Sequence, residues 1–313
     1  MYMTMIQTVV TTISTAFYSI HNDPWADEIL ALWVPLAAYW IYSMMYHFLM
    51  LAEIPYFEQY RIHSSEDISK RNRVTIKRVL IMVTLQQLIQ VILGALILHP
   101  IHPQVMIAQQ EQTLARLVSY SLKFLNIFCY PWIVSKEQAI QLAFFIANSL
   151  YWMVIPSIQF FAAMVILDTH QYFLHRLFHL NKFLYKHFHS HHHRLYVPYA
   201  FGALYNHPVE GFLLDSVGAA LACELTRMTP RMSMIFFTFS TLKTVDDHCG
   251  YYFPWNPLQF LFGNNVKYHD IHHQAYGIKT NFSQPFFTFW DKLLGTEMTN
   301  NPRDTKKQSD KAN

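Results

Sequence analysis

The sequence predicts an all-α integral membrane protein, built from three long transmembrane helices, a helical hairpin and a histidine-rich cap. Three observations support this prediction. Of the 313 residues, 52% are hydrophobic and only 14% are charged, whereas soluble domains carry roughly 25% charged residues. Three uncharged runs are long enough to cross a bilayer. The chain also has 18 histidines, 13 of which lie between positions 170 and 273.

Each predicted span is an uncharged run. The first, 29–51, has 23 residues without Asp, Glu, Lys or Arg. As an α-helix it would measure about 34 Å, enough for a bilayer core of about 30 Å. The runs 79–98 and 143–167 are the second and third spans, and Pro156 predicts a kink in the third. Buried helices of soluble proteins rarely run this long without charge, so a membrane location is favoured.

The segment 209–242 predicts a helical hairpin that enters and leaves the membrane from one side. Its first arm contains Glu210 and Asp215, and its second arm, 232–242, has only 11 residues. Neither arm suits an independent crossing, which needs about 20 predominantly apolar residues. Pro230 lies between the two arms.

Positive charge between the spans predicts the orientation. The loop between the first two spans carries six basic residues, and the longer loop between the second and third carries three. Because cytoplasmic loops are enriched in Lys and Arg, the first loop is predicted to be cytosolic and the second lumenal. The chain then divides into a lumenal N-terminal segment at 1–28, transmembrane helices with loops at 29–167, a histidine-rich region including the membrane hairpin at 168–298, and a disordered polar tail at 299–313.

Charge and cysteine content argue against other classes. The net charge of +3 comes without a basic run or a nucleic-acid motif, so nucleic acid is not a predicted partner. Cys129, Cys223 and Cys249 are far apart and form no CxxC motif, so no disulfide framework is expected. The first Lys or Arg is Arg61, so the positive region of a signal peptide is missing. An internal hydrophobic helix is expected to direct membrane insertion.

The spacing of the histidines is more informative than their number. The segments HRLFH, HSHHH and HDIHH contain eight histidines at i, i+3 or i+4 spacing: His175, His179, His189, His192, His193, His269, His272 and His273. On a helix these positions share one face. Each H-x-x-H-H triple is therefore expected to aim three imidazoles at one point.

This pattern predicts a cage for two metal ions. A histidine tract could also be a pH sensor or a solvated tract with weak metal affinity. Neither alternative predicts a second H-x-x-H-H triple about eighty residues after the first. A structural zinc site takes four ligands, so eight histidines exceed the need of one ion. Neutral imidazole suits zinc, copper, iron and nickel alike, so the spacing does not choose the metal.

Other residues near these segments are expected in supporting roles. His248, in DDHCGYYFPW, is a ninth candidate ligand because it follows the returning arm of the hairpin. A further set is expected either to bind metal or to fix imidazole tautomers by hydrogen bonding: His170, His207, Asp168, Asp247 and Asp270. His187 and His191 are expected to be bystanders or to support the ligands.

The three histidine segments, in this order after hydrophobic spans, resemble the fatty acid hydroxylase/sterol desaturase superfamily of membrane di-iron oxygenases. They match its boxes H-x3-4-H, H-x2-3-H-H and H-x2-3-H-H, and HCGYYFPW and FTFWDKLLGT are also similar to it. The stretch DTHQYFLHRLFHLNKFLYKHFHSHHHRLYVPYAFGALYNHPVEGFLLD resembles the sphingolipid C4-hydroxylase (sphinganine C4-monooxygenase) branch. The resemblance covers 168–296, and the upstream spans match by hydropathy.

The resemblance implies a di-iron monooxygenase of the endoplasmic reticulum membrane, with a cytosolic histidine-rich di-metal cap. The eight histidines and His248 would bind two iron ions, which zinc can displace in purified protein. The implied reaction is C4 hydroxylation of sphinganine or dihydroceramide with O2. The chain shows no HPGG haem motif and no GxGxxG nicotinamide motif. Electrons are therefore expected from cytochrome b5 and its reductase.

Two alternatives stay open at this point. A sterol C4-methyl oxidase or C5-desaturase shares the histidine boxes but needs a wider pocket for a rigid ring system. A non-catalytic membrane metal sensor or transporter would place its histidines along a pathway through the bilayer.

Overall fold

The computed structural model describes residues 25–97, 103–128 and 135–300. Within these ranges the chain is helical and contains no β-strand, only an isolated bridge between Arg61 and Tyr251. The all-α prediction is therefore confirmed. The predicted N-terminal segment, apart from its last four residues, and the predicted tail, apart from its first two, lie outside the described residues.

Three helices are long and apolar enough to cross a membrane: Asp27–Ala52, Ile76–Leu96 and Lys136–Leu180. They are called the first span, the second span and the long helix below. The three predicted spans fall on these helices and are confirmed by them. The second span continues as a helix to Ile97.

The long helix extends well past its predicted end at 167. It consists of Lys136–Ser149, a π-helical turn at Leu150–Val154, and Ile155–Leu180. The π-helical turn comes just before Pro156, whose ring removes one backbone donor from the helical hydrogen-bond ladder. Because the helix continues to Leu180, its last turns carry the first histidine box out of the apolar segment.

A further helix, Pro103–Phe128, was not predicted from the sequence. Gln, Glu, Arg and Lys are spread among its apolar residues, so its hydropathy stays below that of a span. It packs against Lys136–Ser149. Ser135 begins that partner helix with a capping box, in which Ser135 and Gln138 each accept the other's backbone N–H.

The predicted hairpin is present and its second arm is longer than expected. The first arm comprises Pro208–Gly211, a π-helical turn at Phe212–Ser216, and Val217–Thr226. The second arm is Pro230–Asp247, and the Thr229 side chain caps its first turn by accepting from the Met232 N–H. The first arm packs along the long helix and the second along the first span. The extra turn of the second arm places His248 beside the other histidines.

The cap is made of short elements between and after these helices: Lys182–His187, the 3-10 helices His189–Arg194 and Ala200–Leu204, Pro257–Phe260, Val266–His273 and Phe289–Leu294. The helices Pro55–Glu58 and Ser65–Arg71 lie in the loop between the first two spans. Two buried tyrosines tie the first span to the cap and to the second arm of the hairpin. Tyr39 donates to the Phe201 carbonyl at 2.7 Å, and Tyr46 donates to Asp246 at 3.0 Å.

Candidate metal centre

Four elements bring the nine predicted histidine ligands together. His175 and His179 lie in the last turns of the long helix, and the second box forms the 3-10 helix His189–Arg194. The third box lies on Val266–His273, whose first N–H groups are capped by Asn265. His248 follows the second arm of the hairpin. None of the nine side chains is more than 7% exposed.

The nine imidazoles form two groups. The first group contains five histidines: His175, His179, His189, His193 and His272. The second group contains four: His192, His248, His269 and His273. Within each group the ligand nitrogens lie within 4.8 Å of one another.

Each H-x-x-H-H triple divides between the two groups, so the expectation of one point per triple is wrong. His269 and His273 belong to the second group, while His272 belongs to the first. In the second box, His189 and His193 belong to the first group, while His192 belongs to the second. The physical reason is that i+3 and i+4 are adjacent residues, which point about 100° apart on an α-helix and about 120° apart on a 3-10 helix.

The Nε2 atoms in each group are spaced as the ligands of one ion would be. In the first group, His193 Nε2 lies 2.9 Å from His189 Nε2 and 3.1 Å from His179 Nε2. In the second, His269 Nε2 lies 3.0 Å from His248 Nε2 and 3.1 Å from His273 Nε2. Two ligands at right angles around an ion, each about 2.1 Å from it, would be about 3.0 Å apart.

Backbone carbonyls fix the tautomers of five of these imidazoles. The Nδ1 atoms of His175, His192, His248, His272 and His273 lie within 3.2 Å of the carbonyl oxygens of Phe282, Tyr205, Thr244, Thr280 and Leu195, respectively. A carbonyl can only accept, so each Nδ1 carries the proton and each neutral ring presents an unprotonated Nε2.

These tautomers leave facing Nε2 atoms without a proton to share. His192 Nε2 and His248 Nε2 are 3.4 Å apart, and both rings use their Nδ1 proton elsewhere. The contact is therefore between two lone pairs, which repel each other unless a cation lies between them. His272 Nε2 is buried and has no hydrogen-bond partner among the described residues. Both observations fit a bound cation.

Glu210 is a supporting residue that the sequence analysis did not assign. Its carboxylate accepts from His189 Nδ1, and both side chains are buried. The bond fixes the His189 tautomer in the same way as the carbonyls do. A glutamate inside an apolar arm was the only signal in the sequence that could have indicated this role.

Burial keeps the cap imidazoles neutral. It lowers the pKa of His192 to about 4 and the pKa values of His248 and His272 to about 3. Burial, reinforced by neighbouring imidazoles, also lowers the pKa values of four further ligands well below 6.5: His189, His193, His269 and His273. Neutral imidazole is the form that binds metal ions.

The three aspartates that were expected near the ligands bind other groups. Asp168 accepts from two backbone N–H groups of the cap, and Asp247 pairs with the buried Lys243. Asp270 lies 2.8 Å from His63 Nε2. Among the described residues none of the three hydrogen-bonds to a histidine of the two groups, although Asp247 faces the same cavity as His248.

The remaining histidines lie outside the two groups. His170 Nε2 is 2.8 Å from the Leu213 carbonyl, where it joins the long helix to the hairpin. His207 caps the first arm by accepting from the Val209 N–H. His191 Nδ1 is 3.1 Å from the Phe188 carbonyl, and its ring contacts His207.

Known proteins are similar to this chain in its histidine-rich region and over most of its length. Residues 160–296 match the family model of the fatty acid hydroxylases. The sphingolipid C4-hydroxylase sur2 of Schizosaccharomyces pombe is 46% identical over 88% of this chain and 89% of its own length. Sphinganine C4-monooxygenase 2 of Arabidopsis thaliana is 43% identical over 87% of this chain and 88% of its own.

A rice protein is similar to nearly the same degree and has a different name. The very-long-chain aldehyde decarbonylase GL1-9 of Oryza sativa subsp. indica is 42% identical over 89% of this chain and 93% of its own length. No solved structure matches this chain.

His192 and His191 are adjacent and should differ in their effect on metal binding. His192→Ala removes one of four imidazoles from the second group, so we expect metal content to fall toward half that of the wild type. His191→Ala should retain the wild-type content, because His191 belongs to neither group. Elemental analysis of protein purified after iron-replete expression measures both. Equal losses would show that the assignment within this box is wrong.

Glu210→Ala should lower metal affinity by roughly 10- to 100-fold, the usual effect of losing a partner of a ligating histidine. Glu210→Gln should retain more affinity, because its amide oxygen still accepts from His189 Nδ1. Glu224→Gln, an exposed position on the same arm, is the matched control. Chelator competition measures the affinities. Wild-type affinity in Glu210→Ala would contradict the role assigned to Glu210.

Acid should destabilise the metal-free protein. The cap histidines have pKa values near 6.5 when unfolded and lower values when folded. The unfolded state therefore binds more protons below pH 6.5, and the free energy of unfolding falls as the pH drops from about 6.5 toward 4. Thermal unfolding of chelator-treated protein in detergent, followed by circular dichroism from pH 8 to pH 5, measures this. A midpoint that stays constant from pH 7 to pH 5 would argue against neutral buried imidazoles.

Proposed function

Because the chain belongs to the fatty acid hydroxylase family, we propose that it is a membrane-bound, O2-dependent monooxygenase that hydroxylates C4 of a sphingoid base. One observation carries the proposal: nine buried imidazoles form two metal-binding groups in a chain that is similar to sphingolipid C4-hydroxylases over almost nine-tenths of its length. The product would be a 4-hydroxylated, phytosphingosine-type base.

Two iron ions fit the donor set of the two groups. Imidazole binds iron, zinc, copper and nickel, but zinc has no redox chemistry. The C–H bonds at C4 of a saturated chain are not acidic, so ordinary acid–base catalysis does not break them. A redox metal must therefore supply the oxygen chemistry. Iron is the proposed metal at both groups because the chain resembles the membrane di-iron oxygenases, and zinc in purified protein would be a substitute.

The protein's own residues hold the ligands and exclude water. Five backbone carbonyls orient the imidazoles, and Glu210 orients His189. Burial of all nine rings removes competing water and strengthens the electrostatic interactions inside the site. Such a site can direct oxidation to one carbon of a positioned chain.

The topology gives the proposed setting of the reaction. The basic loop between the first two spans supports a cytosolic cap, and the proposed membrane is that of the endoplasmic reticulum. Electrons would come from cytochrome b5 and its reductase, since the sequence carries no haem or nicotinamide motif of its own. The substrate is sphinganine or dihydroceramide.

The name of the rice relative makes a very-long-chain aldehyde the second substrate to test. This substrate is proposed only because the identity and coverage of the rice protein are close to those of the hydroxylases. Both proposed substrates are long aliphatic molecules that would bind in an apolar site.

The proposal is tested with iron-loaded protein in lipid nanodiscs, supplied with cytochrome b5, its reductase and a nicotinamide. Sphinganine, dihydroceramide, a C4-methylsterol and a very-long-chain aldehyde are offered in parallel under ¹⁸O2. We expect ¹⁸O at C4 of the sphingoid base by mass spectrometry, with His192→Ala inactive and His191→Ala active. Turnover of only the sterol or only the aldehyde would refute C4 hydroxylation, and no turnover of any substrate would refute the oxygenase.

A further inference from the structure

Two cavities meet beside the second histidine group. An apolar chamber of about 290 Å³ lies among the three spans and the hairpin, lined by residues such as Leu36, Val91 and Leu167. A smaller polar cavity of about 40 Å³ is lined by histidines of both groups, among them His189 and His248. Gln171, Asp215, Thr244 and Pro285 line both cavities. These four shared residues lie between the chamber and the histidines, and they are called the neck below.

Asp215 is the acidic residue in this neck. Its Oδ2 accepts from Gln86 Nε2 at 3.0 Å and its Oδ1 lies 3.5 Å from Gln171 Nε2. Gly211 leaves room for the Gln86 amide, since a Cβ there would lie 2.4 Å from Gln86 Cδ. The neighbouring buried cation, Lys243, is paired with Asp247 instead. The carboxylate of Asp215 is thus held by amide donors and has no salt bridge within the described part of the chain.

Two carboxyl or amide oxygens of residues that line the polar cavity are unpartnered among the described residues, and both are acceptors. Asn264 is buried and its Nδ2 donates to Asp247 and to the Pro285 carbonyl, at 3.0 and 3.1 Å. This fixes the orientation of the amide and leaves Oδ1 without a partner among the described residues. Glu210 Oε2 is also buried and unpartnered there. A ligand that satisfies these atoms must bring several N–H or O–H donors.

A long-chain amino alcohol has this arrangement of groups. Sphinganine carries an ammonium and two hydroxyls at one end of a saturated chain, and its C4 is bonded to the carbon that bears the 3-hydroxyl. An acceptor that holds this hydroxyl fixes the position of C4, which is two bonds from the hydroxyl oxygen. An N-acyl group would replace the ammonium donors with one amide N–H and add a carbonyl acceptor facing other acceptors.

We propose that Asp215 and Asn264 form the headgroup site of this enzyme. They accept hydrogen bonds from the ammonium and hydroxyl groups of a long-chain amino alcohol, while its alkyl chain occupies the apolar chamber. The assignment rests on the proposed function, and it makes Asp215 a specificity-determining residue that favours a free base over its N-acylated form.

The test is equilibrium binding to the full chain in nanodiscs, with empty nanodiscs correcting for partition into lipid. Sphinganine, N-acetylsphinganine and octadecanol share one chain length and differ in their donors. The wild type should bind sphinganine about 10- to 100-fold more tightly than N-acetylsphinganine, the effect of a charge-assisted hydrogen bond. Asp215→Asn should reduce this ratio to within about threefold, by weakening sphinganine only.

Glu224→Gln is the matched control, because Glu224 also lines the chamber and is acidic but does not line the polar cavity. It should leave the ratio unchanged. A wild-type ratio near one overturns the headgroup site, and so does a ratio that Asp215→Asn preserves. If Asp215→Asn does not fold, the ratio of sphinganine to N-acetylsphinganine affinity of the wild type still tests the headgroup site. Binding needs no turnover, so selective binding without C4 product would refute the proposed function and leave the headgroup site standing.

Discussion

The mutual repulsion of unprotonated imidazole nitrogens is the constraint on which the cap depends. Nε2 atoms about 3 Å apart cannot hydrogen-bond to one another when the ring protons are already donated to carbonyls and to Glu210. Burial prevents relief by protonation, since it lowers the pKa values of the rings. Bound cations relieve the repulsion, and the hydrogen bonds around the cap hold the rings ready for them.

The second and third boxes each contribute histidines to both groups, so the two groups form one unit. His192 leaves the second box for the second group, and His272 leaves the third box for the first group. Neither group can form from one box, and both need the 189–194 and 266–273 helices in their native places. Metal binding at either group therefore stabilises the same two elements, so the groups should be thermodynamically coupled.

The membrane helices position both the site and the path to it. The first arm of the hairpin supplies Glu210 to the ligands and Asp215 to the neck, five residues apart on one irregular helix. A π-helical turn between these positions alters the regular helical spacing. The long helix contributes Gln171 to the neck and His175 to the first group, so the apolar chamber and the histidines share one rigid support.

The sequence by itself determined the three spans and the candidate ligands. Uncharged length predicted the three spans. Histidine spacing selected eight of the nine imidazoles that the structure brings together, and the position after the returning arm added His248. The helix Pro103–Phe128 was missed because the polar residues spread along it keep its hydropathy below that of a span. Only the tertiary structure decided how the triples divide, that Glu210 supports His189, and that Asp215 lies in a neck between two cavities. These features depend on contacts between residues far apart in the chain and on the 100° step between adjacent side chains, which spacing within one box does not specify.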